Sequence, residues 1–501
     1  MNHRQFQFVQ QLRRSSQNPS SSGGLQCHKL LWHAYNAKDL IPEPDAATQA
    51  IFDQGHKVGE LAKQLFPGGV EIGPGIVDLD ETARLTREAL KLRKPLFEAA
   101  FSAEGGYCRV DVLRPAPKNS WDLIEVKSNT NLKDVHLNDL AFQMWILLTA
   151  GLRIRACCVM HIKPDFVRRG DIDAKKFFVL KDVTDQAANL AQVVPDKLDE
   201  IFQMIRQRQP PDISIGPHCE DPYRCALHDQ CWNFLPPHNV LDLYRGAKKG
   251  FALLDQGVQL LNEIPNDAML TASQAIQRAT AVSSKPHVDK QAISEFLRRL
   301  EYPLHYLDFE TFGTAIPLFD GMRPYQQVPF QFSLHVVRMP GAKPEHVMYL
   351  AEGRHDPRPA FMLKLRNALG CTGSIVAFNA PFELGRLKEC CEVMPHFSAW
   401  LKGIEGRVVD LLAPFKGFAY YHPEQQGSAS MKAVLPALTG RGYEELEIQE
   451  GGTASLEFLR VTFGEVTETE RQRVRQALEQ YCGRDTEGMI WIVNALRRAT
   501  S

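Results

Sequence analysis

Apolar and polar positions recur with two different periods along this chain, and the changes of period mark out its elements. "IFDQGHKVGELAKQLF" (Ile51–Phe66) repeats its apolar residues at helical spacing and carries His56. "PLFEAAFS" (Pro95–Ser102), "CRVDVLRP" (Cys108–Pro115) and "WDLIEVKS" (Trp121–Ser128) are apolar over strand lengths and predict three successive strands. "DVHLNDLAFQMWILLTAG" (Asp134–Gly151) predicts a long apolar helix, and "ACCVMHIK" (Ala156–Lys163) a short buried strand. Helix, three strands, helix, strand is the order of an α/β block, placed at residues 25–235.

Beyond it, Val240–Pro265 reads as helices broken near Gly257, and polar Thr280–Gln291 as a linker. Residues 236–299 are therefore expected to be a helical connector. A second α/β block is expected over 300–501. It opens with the strand "YPLHYLDFETFG" (Tyr302–Gly313), continues through strands at Phe330–Val337, Glu345–Leu350 and Ser374–Asn379, and places Asp410 near a strand end. Helices fall at Arg358–Leu369 and Ala380–Val393, and a long one opens with a Thr467-x-x-Glu470 capping pattern. Ser15–Gly24, rich in serine and glycine, makes residues 1–24 a flexible leader.

Composition narrows the function classes. With 44% hydrophobic and 23% charged residues the chain is an ordinary globular protein, and a net charge of −1 removes any global basic field for nucleic acid. Local basic stripes remain at Arg84–Lys94 and Phe166–Gly170, whose mixed charge patterning favours a solvated helix face or loop. The start, "MNHRQFQFVQQLRRSS", lacks the apolar region of a signal peptide, and no stretch reaches the ~18 apolar residues of a membrane span. A cytoplasmic location and no membrane partner are expected. In that compartment the eleven cysteines point to metal ligation or free buried thiols rather than disulfides.

The first block carries a D-x13-E-x-K arrangement, Asp111 followed by Glu125 and Lys127. On a strand Glu125 and Lys127 share a face, and Asp111 meets them from the neighbouring strand. Adjacent carboxylates repel unless a hard cation lies between them, which points to Mg²⁺ or Mn²⁺. Glu-x-Lys alone is common, and a strand with exposed carboxylates and a solvated lysine is the plain alternative. With His56 upstream and Gln143 on the next helix, residues 25–235 resemble the RecB-like branch of the PD-(D/E)xK nucleases, with a restriction-endonuclease-like core. The resemblance implies His56, Asp111 and Glu125 as metal ligands, Lys127 as catalytic lysine and Gln143 as the branch's helix glutamine. Some such nucleases carry a 4Fe-4S cluster on one cysteine before the core and three after it. By that match Cys27, Cys219, Cys225 and Cys231 hold the cluster. The C-x5-C-x5-C spacing here departs from the more frequent C-x2-C-x5-C, and zinc on the same cysteines with His218 or His228 stays open.

In the second block Asp308 and Glu310 share one strand face, Glu383 follows on a helix, and Asp485 sits within the apolar stripe Val474, Leu478, Tyr481, Met489. A buried aspartate costs free energy unless paired or on a metal. This order of motifs resembles the DnaQ-like, ribonuclease-H-like exonucleases of the DEDDy type over about 302–497. The resemblance implies two-metal hydrolysis of phosphodiesters with 3′–5′ polarity, Asp308, Glu310, Glu383 and Asp485 as ligands and Tyr481 positioning the attacking water. Glu383 replaces the family's usual aspartate, and Phe378 its usual histidine. The pairing of two such blocks resembles an uncharacterised bacterial family of unknown function. The sequence therefore reads as a metal-dependent nuclease acting on DNA or RNA, single strands or ends. A non-catalytic or single-site nucleic-acid-binding or scaffold protein is the alternative.

Overall fold

The computed structural model describes residues 26–75 and 78–501; the predicted leader lies outside them. The chain forms two compact units. The first comprises the described chain as far as Asn233 together with Thr314–Gln326; the second comprises Phe234–Gly313 and Gln327–Ser501. Both are mixed α/β structures built on one main sheet each.

In the first unit, helices α1 (His28–Asn36), α2 (Ala46–Lys63) and α3 (Leu79–Leu90) alternate with strand β1 (Val70–Glu71). Strands β2 (Leu96–Ala103), β3 (Gly106–Ala116) and β4 (Ser120–Lys127) then run consecutively. Helix α4 (Asp134–Thr149) crosses to β5 (Ile154–Ile162), and β6 (Phe178–Asp182) closes a six-stranded sheet in sequence order. Every neighbouring pair is antiparallel except β1 with β2 and β4 with β5, the latter joined by the α4 crossover. One face packs Leu140, Ile146 and Leu147 of α4 on Phe101, Val110 and Leu123. The other packs Val58 and Ala62 of α2 on Phe97, Val112 and Ile124.

Those two lists show where the sheet departs from simple alternation. Leu96 and Ala99 lie on the α4 face, as do Leu113 and Val110, so the facing of both strands inverts between them. The inversion falls at Glu98, whose φ of 58° is rare for a residue with a Cβ, and at Asp111 on the adjoining strand. The predicted strands are correct, and the break in their alternation lies beside the acidic site.

Thr314–Gln326 returns to the first unit through backbone contacts. Met322 accepts from the Arg168 amide at 3.0 Å, and Arg168 Nη1 donates to the carbonyls of Pro317 and Leu318 at 2.9 and 2.6 Å. Arg168 is thus a structural anchor. Arg84, in the other basic stripe, pairs with Glu81 and Glu88 along α3 at 2.7 and 2.8 Å, a neutralised, exposed helix face.

The second unit begins with helices α5 (Ala247–Asp255), α6 (Ala272–Ser283) and α7 (Lys290–Leu297). The segment from Thr280, read as a linker, is helical to Ser283, because the Thr271/Gln274 capping box starts a helix that its Ser, Thr and Gln residues do not stop. The sheet has β7 (Leu304–Phe312), β8 (Val328–Val337) and β9 (Glu345–Leu350), then β10 (Ile375–Ala377) and β11 (Val408–Asp410). Its order is β9-β8-β7-β10-β11; the first two pairings are antiparallel and the last two parallel. Helices α8 (Arg358–Ala368) and α9 (Ala380–Val393) cover the Leu307 and Phe309 side, packing Phe361, Leu365 and Leu387 there. Asp308 and Glu310 face the other way, toward α10 (Gly451–Phe463) and α11 (Glu468–Thr500). Thr467 caps α11 through Glu470 N at 3.2 Å, but the Glu470 carboxylate turns to Arg460 and Arg473 instead of completing a capping box.

Candidate active and metal sites

The second unit gathers its predicted acids at the centre of the sheet. On α11, Tyr481 and Asp485 lie one helical turn apart and point at β7. Gln331 of β8, opposite Glu310 in the ladder, donates to the Leu478 carbonyl at 2.9 Å and holds that helix to the sheet. Glu310, Glu383 and Asp485 are all under 9% exposed. Burial comes first in raising every carboxyl here. Asp308 and Glu310 rise well above the usual range, Asp308 further through Asp485, Glu310 and Glu383. Glu383 is pushed up to about 8 and Asp485 to about 7. A set of acids this buried and this mutually repulsive is costly without a countercharge.

Glu383 stands in the first turn of α9, and its Oε2 has no hydrogen-bond partner among the described residues. The turn into α9 passes through Asn379 at φ 78°, and Asp410 at the end of β11 caps it: Oδ1 accepts from the Asn379 and Leu412 amides, each at 3.0 Å. Asp410 is therefore a positioning residue for Glu383. Phe378 stacks on Phe415, a packing role.

The structure adds four residues that the motifs did not single out. Tyr443 donates its hydroxyl to Asp485 Oδ1. Lys432 holds Nζ over the rings of Tyr481 and Tyr443, at 5.6 and 5.9 Å from their centroids. Gly451 opens α10 so close that a Cβ there would stand 3.6 Å from Glu310 Oε2 and 3.8 Å from the Tyr481 hydroxyl. Cys482 places Sγ 3.9 Å from Asp308 Oδ2. Nothing but the adjacency of Cys482 to Tyr481 was available to find them, since the other three come from separate elements.

In the first unit Glu125 is 1% exposed and doubly engaged: Oε1 accepts from Lys127 Nζ at 3.0 Å and Oε2 from Gln143 Nε2 at 2.8 Å. Asp111 Oδ2 accepts from the Val126 amide at 2.8 Å. Glu125, Lys127 and Gln143 thus form one hydrogen-bonded set, with Asp111 beside it on the neighbouring strand. Two more residues belong with them. Lys127 Nζ also donates to buried Asp139 at 3.0 Å, and His136 is held down to about 4 by burial and by the charge of Lys127. Both sit on α4, a turn or two before Gln143. His56 is exposed on α2 and makes no hydrogen bond to this set. Gln143 Oε1, fully buried, has no donor among the described residues, which leaves an acceptor beside Glu125 for a cation or its water.

The four cysteines of the sequence motif meet. Cys27, Cys219, Cys225 and Cys231 line one enclosed pocket with Ile213, Ser214, Ile215 and Leu227. Gln26 ties the chain start to this loop, donating to the carbonyls of His218 and Tyr223 at 2.8 and 2.6 Å. Burial pushes the Cys225 thiol up to about 11, and the other three sulfurs add to the effect. All four are free thiols. His218 and His228 line the same pocket, His218 Nε2 standing 3.7 Å from Cys219 Sγ; His228 also stacks on Trp232 and pairs with Glu220 at 3.0 Å. Among the described residues, the set of three ligand atoms all within 4.8 Å of one another is Asp308, Glu310 and Cys482. The four cysteine sulfurs are spread more widely, whereas thiolates at ~2.3 Å from one zinc would lie about 3.8 Å apart.

The family model described as Domain of unknown function (DUF2779) matches residues 305–430. That stretch is similar to this uncharacterised family. The matched stretch takes in Asp308, Glu310, Glu383 and Asp410 and stops before Tyr443, Tyr481 and Asp485. No curated protein and no solved structure matches the chain. Among the described residues, no helix is long and apolar enough to cross a membrane.

Proposed function

We propose that this protein is a metal-dependent nuclease that hydrolyses phosphodiester bonds of DNA or RNA. The observation that carries the reading is the cluster of half-buried Asp308 with buried Glu310, Glu383 and Asp485, the Tyr481 hydroxyl beside it. Its donor set is all oxygen apart from Cys482, and Glu383 Oε2 is orphaned, so the residues fit hard divalent cations. Mg²⁺ or Mn²⁺ held by these carboxylates would supply charge neutralisation and an acidified water. The protein's own part is positional. Tyr481 orients the attacking water, while Lys432 and the amide end of α10 meet the negative charge that develops on the phosphoryl group. The DnaQ-like, ribonuclease-H-like assignment belongs to this proposal, as does 3′–5′ exonuclease action at a strand end.

The RecB-like assignment of the first unit is the second part. Glu125, Asp111 and the Gln143 acceptor would hold the cation, His56 reaching it only by moving, and Lys127 would orient the water. Cys27, Cys219, Cys225 and Cys231 would carry a 4Fe-4S cluster, with zinc on the same cysteines as the alternative. One observation favours a quieter role for this unit: Lys127 already bridges Glu125 and Asp139, which engages the lysine that would orient the water. A cytoplasmic location completes the proposal.

The test is a panel of single- and double-stranded DNA and RNA with Mg²⁺ or Mn²⁺. Asp308→Asn is expected to abolish end-trimming, and Asp111→Asn to remove a separate cleavage. If Asp111→Asn weakens binding and spares all cleavage, the first unit only grips. Neither substitution altering cleavage of any substrate would refute the nuclease reading.

A further inference from the structure

Cys482 has no part in the chemistry above, yet it lies at its centre. It is fully buried on α11, between Tyr481 and Asp485 in sequence. Its Sγ and one carboxylate oxygen from each of Asp308 and Glu310 lie within 4.8 Å of one another. The sulfur is 3.9 Å from both the backbone carbonyl and the Oδ2 of Asp308, long enough that no strong hydrogen bond holds it there. A second observation points to a ligand in the same place. Glu383, 5% exposed, has an unpartnered Oε2 and stands near enough to Asp308 to act on its charge.

Thiolate and carboxylate together are a donor set that hard ions do not seek. Mg²⁺ takes oxygen ligands in an octahedron, whereas zinc, cobalt and cadmium accept sulfur and are content with four ligands. Zinc bonds of about 2.3 Å to sulfur and 2.0–2.2 Å to oxygen need ligand atoms roughly 3.5 Å apart, a small contraction of the triad. We propose that Asp308, Glu310 and Cys482 form a three-ligand site for a thiophilic divalent cation, zinc above all, which competes with Mg²⁺ or Mn²⁺ for the cluster. The inference rests on reading the carboxylates as a divalent-cation centre. Binding breaks the Cys482 S–H bond, sends the proton to water and forms a sulfur–metal bond, with no change of oxidation state. Zinc then acts as a reversible inhibitor, because it displaces the ion that the all-oxygen geometry serves.

The experiment uses the full chain with its first-unit cysteine site filled. Zinc affinity is measured by competition with a chromophoric chelator, Mn²⁺ affinity by electron paramagnetic resonance, and the ligand set by cadmium NMR. Cys482→Ser is expected to weaken zinc binding by at least about tenfold while Mn²⁺ binding is unchanged. The wild type should show a cadmium resonance of a site with one sulfur ligand, lost in Cys482→Ser and in Cys482→Ala and kept in Cys27→Ser. Zinc binding as tight as wild type in both Cys482 variants, with the cadmium spectrum unaltered, overturns the proposal. Asp308→Asn separates the two levels. If it leaves Mn²⁺ binding intact, the carboxylate centre itself falls; if it abolishes Mn²⁺ binding while the Cys482 variants keep zinc, only the thiolate site falls.

Discussion

Glu383 and Asp485 show how much of this site is decided atom by atom. Each is an ordinary acid in sequence, ionising near 4.5 and 3.8 in the open chain, and each is raised in the fold, to about 8 and about 7. The sign follows from linkage. A carboxyl whose folded value is raised contributes stability below its unfolded value and loses it as the pH rises through the folded one. The metal-free protein is therefore expected to melt at progressively lower temperature as the pH rises from about 4 to about 8. Added Mn²⁺ should restore the melting temperature most at the upper end, where the acids are charged. Calorimetry with and without a chelator checks both; a flat profile would mean that the four acids do not share one field. In the first unit the charge is answered from within, by Lys127 set between Glu125 and Asp139. The second set has a lysine too, but Lys432 holds its Nζ over the Tyr481 and Tyr443 rings instead of between two carboxylates.

At the scale of elements, each site is a meeting of strand and helix whose approach is fixed by a hydrogen bond. Gln331 fastens α11 to β8, and Asp410 fastens the start of α9 to the end of β11. Replacing Asp410 by alanine strips an acceptor from the Asn379 and Leu412 amides. The expected cost is on the order of 1–2 kcal/mol of stability, with weaker Mn²⁺ binding because Glu383 loses its anchor. Chemical denaturation and a metal titration on the same variant check the pair. Stability lost with metal affinity kept would confine Asp410 to capping. Helix periods and strand runs made most of these elements legible: α2, β2 to β5, α4, β7, α9 and α11 fall where the apolar pattern puts them. The inversion at Glu98 and Asp111 was not legible, because a positive φ at a residue with a Cβ carries no signal in the residue type.

Across the whole chain, cysteines far apart in sequence converge while the two blocks keep separate sheets. Gln26, beside Cys27, bonds to a residue 192 positions away. A metal centre on these cysteines closes a very long loop, which restricts the unfolded chain by an amount on the order of 4 kcal/mol or more. Cys27→Ser is expected to lower the unfolding transition of the first unit and leave that of the second where it was. Differential scanning calorimetry, read beside iron and zinc analysis, decides it; both transitions shifting together would refute an independent staple. The chain also crosses back: Thr314–Gln326, inside a strand hairpin of the second unit, is packed as part of the first. Contiguous division of the sequence at 235 and 300 leaves no room for such an excursion.

What the sequence by itself determined is the order of elements and the residue types at the acidic and cysteine positions, since both are local. Periodicity is written in neighbouring residues, and so are D-x-E, E-x-K and Y-x3-D. Only the tertiary structure decided which groups share a site. Lys432, Tyr443, Gly451 and Cys482 come to Asp308 and Glu310, and Asp139 to Lys127, through the packing of elements. Field strength follows from the same cause. A carboxylate is strongly perturbed only where water is excluded and another charge is near, and neither condition exists until helix has closed on sheet.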